Sequence, residues 1–424
     1  MSSLKHQDAE LYKDFLYRHF FASWEEDGVG NSYSHLELYP TDICNTKCTY
    51  CYLKNYGKET FYNKEAKKPK NILTNLTLLL EFIEEHDFIP PSIEIYSGDF
   101  FSIPVWEEYF EIVFQFVKRT GRTKGIMIPT NSTFAVSQEK YDKVVGWLNK
   151  FKNIGCCMVL SMSIDGKPVD HYSRPFRGSQ TYTDEMYERL FNLQKEWNFS
   201  FHPMVSANNI RDWNDNYDWF INTSLDNGLT VRQAIDRLYI LEVRNPDWTE
   251  EDCEYLYDFV YNTVHKLHKM LGREGFIEAA KRNRLHNMFN SGFSYNSKGV
   301  GCSIQQTLCV RGDLHIVPCH RLGFANYEGG KFIVEDGKIT GIEAINPVFH
   351  ITTSSFNQRY QPVCEECPIR SICTRQCLGA SLETVGDPFL PIPSVCRMLH
   401  YKHSALVHAY DDLDLLEPVF TKYI

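Results

Sequence analysis

The residues of this chain that could carry out chemistry are its cysteines. Eleven of the fourteen fall into two groups, and the first group is the run Cys44, Cys48 and Cys51 on one short segment. Three thiolates with this C-x3-C-x2-C spacing suit a cubane iron–sulfur cluster, in which each iron takes one sulfur ligand from the protein. A four-iron cluster held by three cysteines leaves one iron free to bind another molecule, as a catalytic zinc ion with three protein ligands does. The run therefore predicts a reactive metal centre.

Two other interpretations of this run are weaker. A zinc knuckle would need a fourth ligand close by, and the nearest candidate, His35, lies upstream on a predicted strand. A structural disulfide is not expected in a chain with many clustered cysteines and no sign of export.

The second group contains eight cysteines, spaced C-x6-C-x9-C, then C-x2-C-x5-C-x3-C, then one more: Cys302, Cys309, Cys319, Cys364, Cys367, Cys373, Cys377 and Cys396. Two fully ligated four-iron clusters need eight thiolates, and two tetrahedral zinc sites need the same number. The cubane run earlier in the chain favours iron. We expect the other three cysteines, Cys156, Cys157 and Cys253, to pack as small apolar residues, as buried cysteine usually does.

Composition narrows the class of protein. The 424 residues suffice for two or three domains with a large core. The net charge of −10 does not favour nucleic-acid binding. No apolar run approaches membrane-spanning length, and the N-terminal residues lack the apolar core of a signal peptide. We therefore expect a cytoplasmic monomer with no membrane partner and no nucleic-acid partner.

The elements that must position the first cysteine group alternate along the chain. Predicted strands lie at 36–39, 92–96, 125–129, 156–163, 199–206 and 230–235, and predicted helices lie near 74–87, 105–119, 138–150, 183–197 and 213–225. Six strands that alternate with helices indicate the α/β class, with a parallel sheet and right-handed crossovers. The count favours a partial (β/α)6 TIM-like barrel, and barrels of this type carry their active sites at the C-terminal ends of the strands.

Five segments make up the predicted organisation. An N-terminal helical extension (1–35) includes an amphipathic helix at 9–24, and the partial barrel spans 36–245. A helical bridge (246–300) begins at a capping box at Thr249. A cysteine-rich domain spans 301–400, and a closing helix and tail occupy 401–424.

Two cysteine patterns resemble a known family. The C-x3-C-x2-C run resembles the signature of the radical S-adenosylmethionine superfamily, and the C-x2-C-x5-C-x3-C block resembles the SPASM domain that follows the barrel in some of its members. The resemblance implies S-adenosylmethionine as cofactor and three [4Fe-4S] clusters, one at the first run and two auxiliary. It implies that Cys302, Cys309, Cys319 and Cys377 hold an inner auxiliary cluster and that Cys364, Cys367, Cys373 and Cys396 hold an outer one.

The resemblance also implies contacts with S-adenosylmethionine at the ends of the strands. Gly98 and Asp99 match the family's Gly-Gly-Glu motif, although Ser97 and Asp99 replace its first Gly and its Glu, and Asp165 is expected mainly to form a turn. Arg174 matches the arginine that meets the cofactor carboxylate, a task that suits a planar guanidinium. The cofactor-binding residues implied in this way are Tyr50, Gly98, Asp99, Asn131, Ser163, Arg174 and, near the sixth strand, Arg232.

The implied activity is oxidative. A 5′-deoxyadenosyl radical takes a hydrogen atom from an unactivated carbon, and the auxiliary clusters accept the remaining electron, which gives a crosslink, a thioether or a dehydrogenation. The family members most similar in pattern modify ribosomally made peptides. The implied partners are a peptide substrate and a flavodoxin- or ferredoxin-type electron donor. Only about 35 residues precede the first strand, so we expect a leader peptide to be bound by a separate protein, by the rim of the barrel, or not at all.

One residue separates the chain from the sulfatase-maturating branch of the family. That branch typically has Asp directly after the third auxiliary cysteine, whereas this chain has His320. A histidine can accept a proton near neutral pH, so His320 is the predicted acid or base, and a hydrogen bond beside a cluster is the alternative role. Sulfatase-maturase-like oxidation of a protein, radical modification of a small molecule, and a non-catalytic iron–sulfur or zinc scaffold are the alternative functions.

Overall fold

The structure is a computed structural model. It describes residues 10–16, 35–54, 67–281, 304, 307–323, 327–355, 362–370, 373 and 377–416. The chain divides into two compact units, and each is described by itself. The first unit comprises the described residues of 1–45, 52–160 and 302–356, and the second comprises those of 46–51, 161–301 and 357–424.

The first unit is built on a sheet with the order β11-β10-β9-β8-β1-β2-β3-β4 among the described residues. Strands β1 to β3 are parallel neighbours, β8 pairs in parallel with the other edge of β1, and β8 to β11 form antiparallel pairs. The strands are β1 (His35–Tyr39), β2 (Ser92–Ile95), β3 (Gly125–Thr130), β4 (Cys157–Met162), β8 (Thr307–Arg311), β9 (His315–Val317), β10 (Gly330–Glu335) and β11 (Lys338–Ala344).

Helices follow the first three strands, as the alternating pattern predicts. They are α1 (Pro69–Glu85), α2 (Trp106–Thr120) and α3 (Gln138–Asn153), and α9 (Pro347–Ser355) comes later in the chain. Helix α2 buries one face at helical spacing, from Trp106 to Val117, and ends at Gly121, whose φ of 66° suits a residue without Cβ.

The second unit continues the alternation. Its strands are β5 (Ser200–Phe201), β6 (Met204–Val205) and β7 (Leu241–Glu242). Its helices are α4 (Asp170–Ser173), α5 (Asp184–Trp197), α6 (Trp213–Asp226), α7 (Val231–Asp236), α8 (Glu250–Lys281), α10 (Pro362–Glu365), α11 (Leu378–Val385) and α12 (Pro393–Asp412). The last residues of β4, Ser161 and Met162, belong to this unit and pair in parallel with β5, and β6 pairs in parallel with β7.

The helices predicted near 249 and 400 are present with other bounds, since α8 runs from Glu250 to Lys281 and α12 begins at Pro393. Helix α8 begins at a capping box, in which Thr249 Oγ1 accepts from the Asp252 backbone N–H (3.2 Å) and the Asp252 carboxylate accepts from the Thr249 N–H (3.2 Å). The helix breaks at Gly272, whose φ of 69° lies in the left-handed region. Helices α8 and α12 pack against each other within the second unit.

Two strand predictions are wrong. Residues 230–235 form helix α7, because Thr230 and Gln233 make a reciprocal capping box that starts a helix. The sixth strand of the alternation is β7, a few residues later. The predicted strand 199–206 is interrupted at Pro203, which lacks the N–H that a continuous ladder needs, and leaves the short strands β5 and β6.

Smaller differences concern the N-terminus, one cysteine and the domain limits. Residues 10–16 are helical, and the rest of the predicted helix 9–24 lies outside the described residues. Cys156 and Cys253 are buried as expected, but Cys157 is exposed, because alternate residues of β4 face away from the core. Residues 302–356 belong to the first unit, and the limits 301–400 of the cysteine-rich domain stay a prediction. No helix among the described residues could cross a membrane.

Candidate iron–sulfur and cofactor site

The segment before Cys44 is held against the end of β2 in the first unit. Gly98 N–H donates to the Thr41 carbonyl (3.1 Å), and Asp99 N–H donates to the Ile43 carbonyl (2.8 Å). A Cβ on Gly98 would lie 2.3 Å from the Asp42 carbonyl oxygen, so only glycine fits this close approach of two backbones. The predicted site residue Gly98 thus has a direct structural reason to be glycine.

Asp99 supports the end of β3. Its carboxylate is 1% exposed and accepts from the Thr130 hydroxyl (2.8 Å), the Asn131 N–H (3.0 Å) and the Ser102 hydroxyl (2.8 Å). The resemblance implies that this carboxylate meets the cofactor amino group. That contact stays a prediction, and within the chain the carboxylate orients the segment that begins at Thr130.

Asn131 links this segment to the first cysteine of the run. Its Nδ2 donates to Asn45 Oδ1 (2.7 Å) and lies 3.7 Å from Cys44 Sγ, and its Oδ1 accepts from the Thr133 hydroxyl (2.7 Å). Hydrogen bonds to ligand sulfurs are among the factors that set the reduction potential of an iron–sulfur cluster. Asn131 is therefore placed to orient and tune Cys44.

The rest of the cysteine run belongs to the second unit and lies along residues 173–177. Lys47 N–H donates to the Pro175 carbonyl (2.7 Å), Thr49 N–H donates to the Ser173 carbonyl (2.8 Å), and the Arg177 guanidinium donates to a carbonyl of the run (2.8 Å). Because the backbone is fixed on both sides of Cys48, the direction of its side chain is also constrained.

Tyr50 and Arg174 meet at Asp165. The Tyr50 hydroxyl donates to both carboxylate oxygens of Asp165 (2.7 and 2.9 Å) and accepts from Arg174 Nη1 (2.7 Å). Asp165 has no exposed surface and also accepts from the Met204 N–H (3.0 Å) and the Ser173 hydroxyl. The expectation that Asp165 mainly forms a turn is therefore wrong, since a buried carboxylate needs these donors and the donors come from three separate segments.

One hydrogen-bond donor of the Arg174 guanidinium has no partner among the described residues. Arg174 is 5% exposed and lies 3.7 Å from Asp165, and this donor is its buried Nε–H. Burial lowers the pKa of the guanidinium, but its electrostatic interactions with Cys48, Tyr50 and Asp165 outweigh burial and hold that pKa above its usual value. A charged guanidinium with an unused N–H suits an anionic group such as a carboxylate.

Two other predicted cofactor contacts differ in their support. Ser163 follows β4 directly and is half-buried. Arg232 was placed near the sixth strand but lies on helix α7, where its Nε is 3.3 Å from Asp236 one turn away. The prediction that Arg232 contacts the cofactor depended on a strand at 230–235, and these residues are helical instead.

The predicted inner auxiliary ligands are described in part. Cys309 lies on β8 and Cys319 follows β9 in the first unit, and Cys377 precedes α11 in the second, whereas Cys302 lies outside the described residues. Burial raises the pKa of the Cys309 thiol, and negative charge at Glu37 and Cys319 raises it further. The grouping of Cys302, Cys309, Cys319 and Cys377 around one cluster stays a prediction.

The predicted outer ligands are grouped within the second unit. Burial raises the pKa of Cys364, and the neighbouring Cys373 and Cys367 add to the effect. His400 Nε2 lies 3.5 Å from Cys367 Sγ, and Cys396 lies one turn earlier on the same helix, α12. The grouping of Cys364, Cys367, Cys373 and Cys396 around one cluster stays a prediction.

His320 is oriented by a residue that the sequence analysis missed. The carboxylate of Glu37 on β1 accepts from the His320 backbone N–H (2.7 Å) and lies 3.0 Å from its Nδ1, and Tyr96 stacks on the imidazole at 4.0 Å between ring centroids. Burial raises the pKa of Glu37, but His320 and Cys309 outweigh burial and lower it overall. The available signal was a charged residue inside the apolar strand Leu36–Tyr39.

Comparisons with known proteins support the fold. No protein-family model matches the chain, and no curated protein matches it. Among solved structures, the chain is similar to anSMEcpe, an anaerobic sulfatase-maturating enzyme, with bound AdoMet (TM-score 0.56, 14% identity, covering 92% of this chain and 98% of that one). It is also similar to anSMEcpe with bound AdoMet and the Kp18Cys peptide (TM-score 0.56, 14% identity, 89% and 99%) and to Streptococcus suis SuiB bound to S-adenosylmethionine (TM-score 0.48, 14% identity, 92% and 79%).

The likeness to anSMEcpe concerns the fold alone at this level of identity. It extends over nearly the whole length of both chains, and anSMEcpe is a radical S-adenosylmethionine enzyme with a SPASM domain. The prediction of an α/β partial barrel followed by a cysteine-rich SPASM region is therefore confirmed.

Proposed function

We propose that this protein is a radical S-adenosylmethionine enzyme that oxidatively modifies a ribosomally made peptide. The observation that carries the proposal is the arrangement beside Cys48. There Tyr50, Asp165 and Arg174 form a buried hydrogen-bonded group that leaves the Arg174 Nε–H unused. A C-x3-C-x2-C run needs such a rigid support to hold three thiolates in position.

The residues present fit the cofactors that the fold implies. Cys44, Cys48 and Cys51 would hold the first [4Fe-4S] cluster, and the buried Nε–H of the charged Arg174 guanidinium suits the carboxylate of S-adenosylmethionine. When bound, these groups supply a 5′-deoxyadenosyl radical, while the protein supplies placement and exclusion of water. Asn131 orients Cys44, and Asp99 keeps Asn131 in place.

A peptide is the proposed class of substrate. Support comes from the fold shared with anSMEcpe, which has been solved with the Kp18Cys peptide. The substrate would come with a leader peptide that a separate protein binds, and the first cluster would be reduced by a flavodoxin or ferredoxin. A crosslink, a thioether or a dehydrogenation is proposed in preference to formylglycine, because His320 replaces the Asp typical of the sulfatase-maturating branch.

His320 is the proposed base of the reaction. Glu37 accepts a hydrogen bond from the Nδ1 side of the imidazole, so the Nε2 side points away from Glu37 and can take the proton that the substrate loses. The stacked ring of Tyr96 keeps the imidazole in this plane. Two auxiliary clusters, each with four cysteines, would have no open iron, which favours electron transfer over direct binding of the substrate.

The test is anaerobic reconstitution of the full-length protein with iron and sulfide, followed by dithionite and S-adenosylmethionine. We expect 5′-deoxyadenosine to form, and we expect Cys48→Ala to abolish it. Cys157→Ala is the matched control, because Cys157 is exposed and belongs to neither cysteine group. Bound zinc without iron or acid-labile sulfide, or full turnover by Cys48→Ala, would refute the proposed function.

A further inference from the structure

A separate group of potential metal ligands lies on the sheet of the first unit. His35 and Glu37 are two residues apart on β1, so their side chains share one face of the sheet. Glu94 lies directly opposite Glu37 on the neighbouring strand β2. Among the residues that the structure describes, these three form the group of His, Cys, Asp or Glu side chains whose ligand atoms all lie within 4.8 Å of one another.

The three side chains are largely buried, and burial of two carboxylates side by side is energetically unfavourable unless a cation lies beside them. Glu37 is 3% exposed, His35 is 7% exposed, and the Glu94 side chain is 20% exposed. Burial raises the pKa of Glu94, and the negative charge of Glu37 raises it further. A positive ion between the two carboxylates would offset their mutual repulsion, and metal ligands of this kind bind in their deprotonated form.

The distances and the donor types suit coordination. His35 Nε2 lies 3.5 Å from Glu94 Oε2, and the edge of a tetrahedral site with bonds near 2.1 Å is about 3.4 Å long. The backbone N–H and the Nδ1 of His320 hold the Oε1 oxygen of Glu37, as outer partners commonly hold a ligating carboxylate. The Thr307 hydroxyl is hydrogen-bonded to His35 Nε2 at 2.8 Å. This hydrogen bond would break when the nitrogen binds the ion.

We propose that His35, Glu37 and Glu94 bind one divalent first-row transition-metal ion. One imidazole nitrogen and two carboxylate oxygens suit Mn²⁺, Fe²⁺ or Zn²⁺, whereas thiolates select softer ions. Three protein ligands leave at least one position open, where a carbonyl or carboxylate oxygen of a ligand can bind. The inference goes beyond the proposed function and does not rest on it, because no cysteine contributes a ligand.

Mn²⁺ is the probe, because cysteine groups bind it poorly. The reconstituted full-length protein is titrated anaerobically with Mn²⁺, and the EPR signal of the free ion reports how much remains unbound. We expect one bound equivalent in the wild type and binding at least tenfold weaker in His35→Gln and in Glu94→Gln. Glu108→Gln is the matched control, because it removes the same charge from an exposed position on helix α2.

A wild type that binds no Mn²⁺, or equal binding in the wild type and both ligand variants, overturns the proposal. If the variants fail to fold, pulsed EPR of Mn²⁺ bound to the wild type decides. Coupling to one imidazole nitrogen supports the site, and its absence overturns it. Neither readout uses S-adenosylmethionine or turnover, so failure of this inference is distinguishable from failure of the proposed function.

Discussion

Asp165→Asn should weaken both the fold and the cluster site. Asp165 is fully buried and Arg174 is 5% exposed, so water screens their interaction little. Removal of one partner from a buried charge pair costs about 3–5 kcal/mol. Asparagine keeps an acceptor for the Tyr50 hydroxyl, and that places the expected loss near the lower end of the range. The free energy of unfolding should therefore fall by about 3 kcal/mol.

Urea unfolding under anaerobic conditions, followed by circular dichroism, measures this loss. The matched control is Asp184→Asn, because Asp184 is 76% exposed and its ion pair is with the exposed Lys167. An exposed pair of this kind contributes about 0–1 kcal/mol. EPR of the reduced first cluster, before and after addition of S-adenosylmethionine, gives a second readout. If Asp165→Asn unfolds like Asp184→Asn and both show wild-type EPR spectra, the reasoning about the Tyr50–Asp165–Arg174 group is refuted.

Three further outcomes are expected. Gly98→Ala should remove the cluster, because its Cβ would lie 2.3 Å from a backbone oxygen, whereas Gly146→Ala, which has open space around its Cβ, should leave iron content unchanged. Glu242, buried beside Lys402, has a pKa of about 2 because Lys402 outweighs the effect of burial; a depressed carboxyl pKa stabilises the fold above pH 4.5, so unfolding free energy should decline as pH falls from 4.5 toward 2, and Glu242→Gln should flatten that decline. Thr249→Ala should cost about 1 kcal/mol in urea unfolding through loss of the α8 capping box, and an unchanged midpoint would contradict this role.

Local patterns predicted much of the fold. The apolar spacing of 105–119 identified helix α2 to within a residue, and the Thr249 capping box marked the start of α8. The segment 230–235 misled because its β-branched residues suit a strand, whereas the hydrogen bonds between Thr230 and Gln233 decide for a helix. In the sequence, the hydrogen bonds of a capping box are visible only as the three-residue spacing between Thr230 and Gln233.

The site was predictable in its residue types and less so in its contacts. The cysteine groups follow from spacing alone. The roles of Glu37 and Asp165 depend on partners 283 and 115 residues away, His320 and Tyr50, and no local pattern encodes such pairings. The hydrogen bonds of Asp99 with Thr130 and Asn131, 31 and 32 residues away, were equally hidden from local patterns.

The pairing of β8 with β1 has a consequence for the newly made chain. His35 and its partner Thr307 are 272 residues apart, and ribosomes add about 5–20 residues per second. One edge of β1 therefore remains unpaired for roughly 14–54 s during synthesis, until β8 has been made. During that time its amide and carbonyl groups can pair with strands of other chains. Nascent chains halted before residue 307 should need chaperone protection that the finished protein does not require.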